Sequence, residues 1–118
     1  MFDRLEIFAL ASARAQHAAA RQAVVAQNIA NADTPGYRAQ DITDFMDTWS
    51  RLQSSPARDA DGARPLGMID AGTPAAPNGN TVSLELERLR GIDAQRAHSR
   101  ALQIYGSALS ILRTSIGR

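Results

Sequence analysis

The chain has 118 residues, 44% of them hydrophobic, a formal net charge of +1 and no cysteine. That length suits one domain, the lack of cysteine excludes disulfides and thiolate metal sites, and the charge is too balanced to point to nucleic acid or an acidic membrane. No run is apolar enough to cross a bilayer, and all thirteen basic residues are arginine, a bias with no evident functional reading.

The chain opens Met1-Phe2-Asp3-Arg4-Leu5-Glu6, with acids where a secretory leader carries only basic residues. Any export is therefore expected by a route without a cleaved leader. Residues 2–31 read as one helix. Leu5, Ala9, Ser12, Gln16, Ala19, Ala23, Ala26 and Ala30 alternate steps of four and three, which puts them on one stripe. Phe8, Ala11, Ala15, Ala18, Val25 and Ile29 widen it. Alanine favours the helix, and a seam of small residues lets a neighbouring helix come close.

Asn28-Ile29-Ala30-Asn31-Ala32-Asp33-Thr34-Pro35-Gly36-Tyr37 ends that segment. Asn31 suits the position just past a helix end. Pro35 turns Thr34 away from helical angles, and Pro-Gly is a strong turn pair with Gly36 free to take positive φ. Tyr37 follows as an amphipathic anchor.

Residues 40–52 are expected to form a short helical turn around Phe45, Trp49 and Leu52, capped by Asp41 or Thr43. Residues 54–80 hold Pro56, Pro65, Pro74 and Pro77 with Gly62, Gly67, Gly72 and Gly79. They read as a flexible loop whose apolar cluster is Leu66, Met68 and Ile69, with no sheet expected.

Residues 82–117 repeat the helical period. Ala97, Ala101, Ile104, Ala108, Ile111 and Ser115 make one row, and Leu102, Tyr105, Leu109, Leu112 and Ile116 a second. Gly91 is a candidate break within the segment. Both helices grow more apolar toward the chain ends, which an antiparallel hairpin would join. The expected fold is all-α: long N- and C-terminal amphipathic helices forming an antiparallel coiled-coil hairpin, with a flexible Pro/Gly-rich central loop. It makes one domain, 1–118, divided into the N-terminal helix (2–31), a turn, short helical segment and loop (32–81), and the C-terminal helix (82–117). A two-helix hairpin hides one seam only, and these faces are wider. Small chains of this kind gain stability by associating, so the sequence predicts a subunit whose apolar stripes await neighbours. The interface is expected from Leu5, Phe8, Ala19, Ala26 and Ile29 with Ala97, Ala101, Ile104, Ala108, Leu109, Ile111 and Leu112.

Two strings carry a resemblance. Asn28–Tyr37, followed by Arg38-Ala39-Gln40-Asp41, resembles the signature after the N-terminal helix of the axial proteins of the bacterial flagellum. Asn78-Gly79-Asn80-Thr81-Val82-Ser83-Leu84-Glu85 is similar to that family's entry to its C-terminal helix, with Ser83 where an acid is usual. The short chain, with no inserted β domain, resembles the proximal-rod members. The helices and both strings cover most of the chain, and residues 54–77 are unmatched. The resemblance implies a family signature at Asn28, Asn31, Asp33, Thr34, Pro35, Gly36 and Tyr37. It implies a non-enzymatic subunit of the proximal rod, exported unfolded by the flagellar type III apparatus without leader cleavage. In the periplasm such subunits build a helical tube of coiled-coil helices that transmits torque and conducts export substrates. Implied partners are copies of itself, other proximal-rod proteins, the MS-ring adaptor protein at the basal-body base and the type III export gate, with no nucleic acid, no membrane span and no cofactor. Phe45 and Trp49 match the family's Phe-x-x-x-apolar export-gate motif; read without the family, they are a helix's packing pair.

Other constellations read blandly. His17 and His98 stand alone on different helices, short of a metal site. Asp93, His98 and Ser99 name the residue types of a triad, but neighbours on one helix do not aim at one atom. Asp59, Asp61 and Asp70 lack calcium-loop spacing. Arg88, Arg90, Arg96 and Arg100 are interspersed with Glu85, Glu87 and Asp93, as on a solvated helix face. Rival functions are another proximal-rod paralogue, a cytoplasmic helical adaptor or chaperone, which leaves the turn string unexplained, and a small enzyme or nucleic-acid module, for which no site is found.

Overall fold

The computed structural model describes residues 2–54 and 67–117, with side chains from 5–51 and 67–117. Pro56, Asp59, Asp61, Gly62, Pro65 and Leu66, and the side chains of Phe2 and Leu52, lie outside the described residues. In chain order the elements are α1 (Phe2–Ala30), β1 (Gln40–Ile42), α2 (Phe45–Ser54), β2 (Met68–Asp70) and α3 (Leu84–Gly117).

The two long helices form the expected antiparallel hairpin. Phe8 near the start of α1 meets Tyr105 late in α3, edge to face with ring centroids 5.1 Å apart. Val25 near the end of α1 faces Gly91 early in α3, where an added Cβ would lie 3.5 Å from the valine methyl. The buried seam is made of Ala11, Ala18 and Val25 on α1 and of Ala94 and Ala101 on α3. Each set recurs every seven residues, the period of a coiled coil, and alanine lets the axes approach. Gly91 does not divide α3, which runs unbroken for 34 residues; it sits where the helices are in close contact.

The α1 row expected to lead the seam is not the buried one. Leu5, Ala19 and Ala26 of that row are exposed, as is Ile29 of the flanking row, whose Ala11, Ala18 and Val25 are buried instead with Phe8 half-buried. An alanine-rich helix offers several rows of similar apolarity, so its own periodicity cannot choose among them. On α3, Ala101 is buried, Ala97, Ala108, Leu109 and Leu112 are half-buried, and Ile104 and Ile111 are exposed.

Two corrections concern the middle. First, the fold is mostly but not wholly helical: β1 and β2 pair antiparallel, with Gln40 opposite Asp70, Asp41 opposite Ile69 and Ile42 opposite Met68. Residues 40–42 are thus extended, not helical, and part of the expected loop is a strand. The cause lies across the chain. The Asn28 side chain donates to the Gln40 carbonyl at 2.7 Å and accepts from the Gln40 N–H at 3.1 Å, so its amide acts as a neighbouring strand would. Second, α2 starts after Asp44, whose carbonyl accepts the Thr48 N–H; neither Asp41 nor Thr43 is at the cap position.

Candidate assembly surfaces and the signature turn

α1 ends where Asn31 bonds back, its side-chain amide donating to the Gln27 carbonyl at 2.9 Å. Thr34-Pro35-Gly36-Tyr37 then closes a turn through the Tyr37 N–H to the Thr34 carbonyl at 3.2 Å. Gly36 has φ of 73°, so Pro35 and Gly36 hold the two central positions of a type II turn. Nothing lies within 4 Å of a Cβ added at Gly36; glycine is needed there for its backbone angle, not for space. Tyr37 is anchored by its hydroxyl, which donates to Asn28 Oδ1 at 3.0 Å. Asp33, Thr34, Pro35 and Gly36 are exposed.

The second string lands on the first. Gly36 N–H donates to the Asn78 carbonyl at 3.0 Å, and Thr81 N–H to the Tyr37 carbonyl at 3.0 Å. Asn80 donates through Nδ2 to the carbonyls of Asn31 (2.9 Å) and Thr34 (2.8 Å), while its Oδ1 accepts the Val82 N–H at 2.7 Å. Thr81 Oγ1 accepts the Ala39 N–H at 2.7 Å. Gly79, with φ of 83°, would bring a Cβ to 3.3 Å from the Gly36 Cα. Asn28, Asn80 and Thr81 are all buried, as polar groups are when their bonds are satisfied. Ser83 stands at the start of α3, its hydroxyl 3.5 Å from the Leu86 N–H; a serine caps a helix about as well as the acid usual there.

Below this knot lies a chain of charges. Glu87, fully buried, accepts Arg90 Nη1 at 2.7 Å through Oε1. Arg90 Nε is 3.8 Å from Asp41 Oδ2, and Arg21 Nε is 3.3 Å from Asp41 Oδ1. These ties join α3, β1 and α1. Glu87 Oε2 has no hydrogen-bond partner among the described residues. On the outer side Arg38 Nε meets Asp70 Oδ2 at 2.8 Å. The Gly72 N–H on its other oxygen and then Arg38 hold the Asp70 carboxyl below the ordinary value of 3.8. Sequence reasoning missed Arg21, Asp41, Arg90 and Glu87 as a linked group; Asn80 and Thr81 were signalled only by their place in the second string.

Phe45 and Trp49, expected as an export-gate pair, are buried and half-buried respectively. Their rings are 6.1 Å apart, and Phe45 also packs edge-on against His17 at 5.5 Å beneath the Arg14 guanidinium at 4.7 Å. His17 Nε2–H donates to the Thr43 carbonyl at 2.8 Å. α2 is thereby pinned to the middle of α1. Asp93, His98 and Ser99 all lie on α3 with no hydrogen bond among them.

The far end of the hairpin is different in kind. Leu5, Ile7, Leu10, Leu102, Ile104, Ile111 and Ile116 are exposed there. Ile7 with Gln103, Ile104, Ser107, Ala108 and Ile111 lines an open, mostly apolar groove of about 420 Å³.

The chain is thus a helical hairpin with a hydrogen-bonded signature turn at one end and uncovered apolar flanks at the other. The family model for the flagella basal body rod protein matches residues 9–38, most of α1 and the turn. The flagellar basal body rod protein FlgB of Salmonella typhimurium is 33% identical over 110 residues, spanning 77% of this chain and 78% of that protein. FlgB of Agrobacterium fabrum is 49% identical over 41 residues, 35% of this chain and 31% of its own length. The chain belongs to the flagella basal body rod protein family. That is a family of structural, motility-related proteins of the flagellar basal body, not known as enzymes.

Proposed function

We propose that the chain is a structural subunit of the proximal rod of the flagellar basal body, polymerising through its long helices into a helical tube. The tube transmits motor torque and conducts later export substrates. The subunit reaches the periplasm through the type III export gate without loss of a signal peptide, with Phe45 and Trp49 as its recognition pair. It assembles with copies of itself, with other proximal-rod proteins and with the MS-ring adaptor protein.

One observation carries this reading: the signature turn is locked against the second signature string, while apolar side chains on both long helices remain uncovered. Burial of a Leu- or Ile-sized side chain is worth about 1.5–3 kcal/mol, so the uncovered flanks supply a strong drive to associate. Heterologous contacts between such flanks propagate as a helix instead of closing into a dimer. The test is complementation in a flagellated strain lacking its own proximal-rod subunit, with swimming and periplasmic delivery of the chain scored separately. Delivery and restored swimming are expected. A chain that stays in the cytoplasm and restores nothing refutes the reading.

A further inference from the structure

Asn78 and Gly79 carry a chemistry beyond their place in the knot. Of Asn28, Asn31, Asn78 and Asn80, Asn78 alone is followed by glycine. Asparagine is a thermally labile residue, and a following glycine, with no Cβ, leaves its own nitrogen open to approach the asparagine side chain. Asn78 is exposed, so water reaches it.

The fold holds both reacting groups apart from one another. The Gly79 N–H donates to the Ala76 carbonyl at 2.8 Å, and the Ala76 N–H to the Asn80 carbonyl at 2.7 Å, which closes a tight turn around Pro77 and Asn78. Asn78 Oδ1 accepts the Asn80 N–H at 3.0 Å, the bond an asparagine makes to the backbone two residues on. The Asn78 carbonyl takes the Gly36 N–H at 3.0 Å. Asn80, two residues on, is buried and fastened to Asn31 and Thr34. For the Gly79 nitrogen to attack Asn78 Cγ, that nitrogen must leave Ala76 and the carboxamide must swing off the Asn80 N–H. The reaction therefore waits on local opening of the turn.

We infer that Asn78 is a site of spontaneous deamidation, shut while the signature turn is closed and active while it is open. In the open chain hydroxide takes the Gly79 N–H proton, and the nitrogen bonds to Asn78 Cγ. The bond from Cγ to the side-chain nitrogen breaks, and ammonia leaves with a proton taken back from water. The cyclic imide then adds water at one of its two carbonyls. One opening leaves aspartate, which keeps a main-chain carbonyl for Gly36 and a side-chain oxygen for the Asn80 N–H. The other leaves isoaspartate, which routes the main chain through the former side chain. It lengthens the chain by one methylene where Gly79 crowds Gly36, and that product does not close the turn. Chains that stay open are thus modified before they fold, while closed ones are preserved.

The full chain, held in mildly alkaline buffer with and without urea, tests this. Conversion at residue 78 is followed by peptide mass mapping with enzymatic labelling of isoaspartate. Conversion is expected in urea, and at least tenfold more slowly without it. Asn80→Ala unfastens the turn and leaves the Asn-Gly pair intact; it should speed conversion several-fold in buffer and leave the rate in urea unchanged. Gly79→Ala should slow conversion in urea, where the turn plays no part. Isoaspartate chains, separated by ion exchange and returned to buffer, should lack the hydrogen-exchange protection at Gly36 and Thr81 that untreated chains regain. Five results each overturn the inference: equal wild-type rates with and without urea, no conversion at Asn78 in urea, Asn80→Ala converting in buffer as wild type does, Gly79→Ala converting in urea as wild type does, or full protection in the isoaspartate chain.

Discussion

Asn80→Asp changes one atom type and should undo the signature turn. Asn80 Nδ2 now donates to two carbonyls, those of Asn31 and Thr34, at 2.9 and 2.8 Å. An aspartate keeps the acceptor for the Val82 N–H but places a carboxylate oxygen against both carbonyls. Two neutral hydrogen bonds contribute about 1–3 kcal/mol together. Repulsion between the new anion and two carbonyl dipoles adds to the loss, and solvent reaching exposed Thr34 limits it. A local cost of about 2–3 kcal/mol follows, which is a roughly 30- to 150-fold loss of hydrogen-exchange protection at Gly36, Tyr37 and Thr81. Asn80→Ala, which removes the bonds without adding charge, should fall between that variant and wild type. Lowering the pH through the carboxylate range should restore part of the protection in Asn80→Asp, because the protonated acid can donate once. If Asn80→Asp protects those amides as wild type does at neutral pH, Asn80 does not donate to the two carbonyls and the account of the turn is wrong.

Gly36→Val should impair swimming and leave secretion largely intact, since a β-branched residue at φ of 73° costs about 1–3 kcal/mol; Gly36→Asn, which tolerates that region, should be milder, and equal swimming of Val and wild type would refute the requirement. Phe45→Ala should lower secretion and retain protein in the cytoplasm, whereas Met46→Ala, at a 55% exposed neighbour, should change little; normal secretion of Phe45→Ala without rod entry would make Phe45 a packing residue only. Glu87→Ala should destabilise the hairpin by about 1–3 kcal/mol, the cost of losing a charged hydrogen bond while Arg90 keeps Asp41 beside it, with Glu87→Gln costing less because its oxygen can still accept from Arg90; denaturant midpoints decide. The Asp70 carboxyl, held below 3.8 by the Gly72 N–H and Arg38, stabilises the β1–β2 pair fully above that value, and the contribution is lost as pH falls through the lower, folded value. Asp70→Asn should abolish that acid limb in a titration followed at the Gly72 amide.

The turn was legible because its chemistry is local: Pro35 and Gly36 dictate their own angles, and Asn31 its own helix end. The long helices were legible from period. The buried row of α1 was not, because Ala19 and Ala26 are as apolar as Ala11 and Ala18; α3 makes the choice, and a single helix's pattern does not contain it. The β1–β2 pair was hidden for a related reason. Three-residue strands carry little pattern, and Gln40 is held extended by an asparagine twelve positions earlier. Glu87 read as one charge among many on an exposed face. Its burial depends on Arg90 and Asp41, the latter from a strand the sequence did not reveal. The second string's serine looked like a departure, yet it stands at the start of α3 with its hydroxyl toward the Leu86 N–H, a position serine and aspartate both suit.

The polar end of the hairpin has a consequence for alignment. In the seam of α1 and α3, Ala11, Ala18 and Val25 meet Ala94 and Ala101 at a seven-residue repeat. Sliding one helix past the other by a heptad, about 10.5 Å, would again place alanine against alanine, although it would part Val25 from Gly91 and Phe8 from Tyr105. The alanines alone cannot tell the correct pairing from its shifted copies. The slide is forbidden at the other end, where it would pull Asn28 from Gln40 and Tyr37, Asn80 from the turn, and Arg90 from Asp41. Each stranded buried group would cost about 1–3 kcal/mol. The alanines make the helices stick; a handful of buried amides and charges keeps count of where they stick.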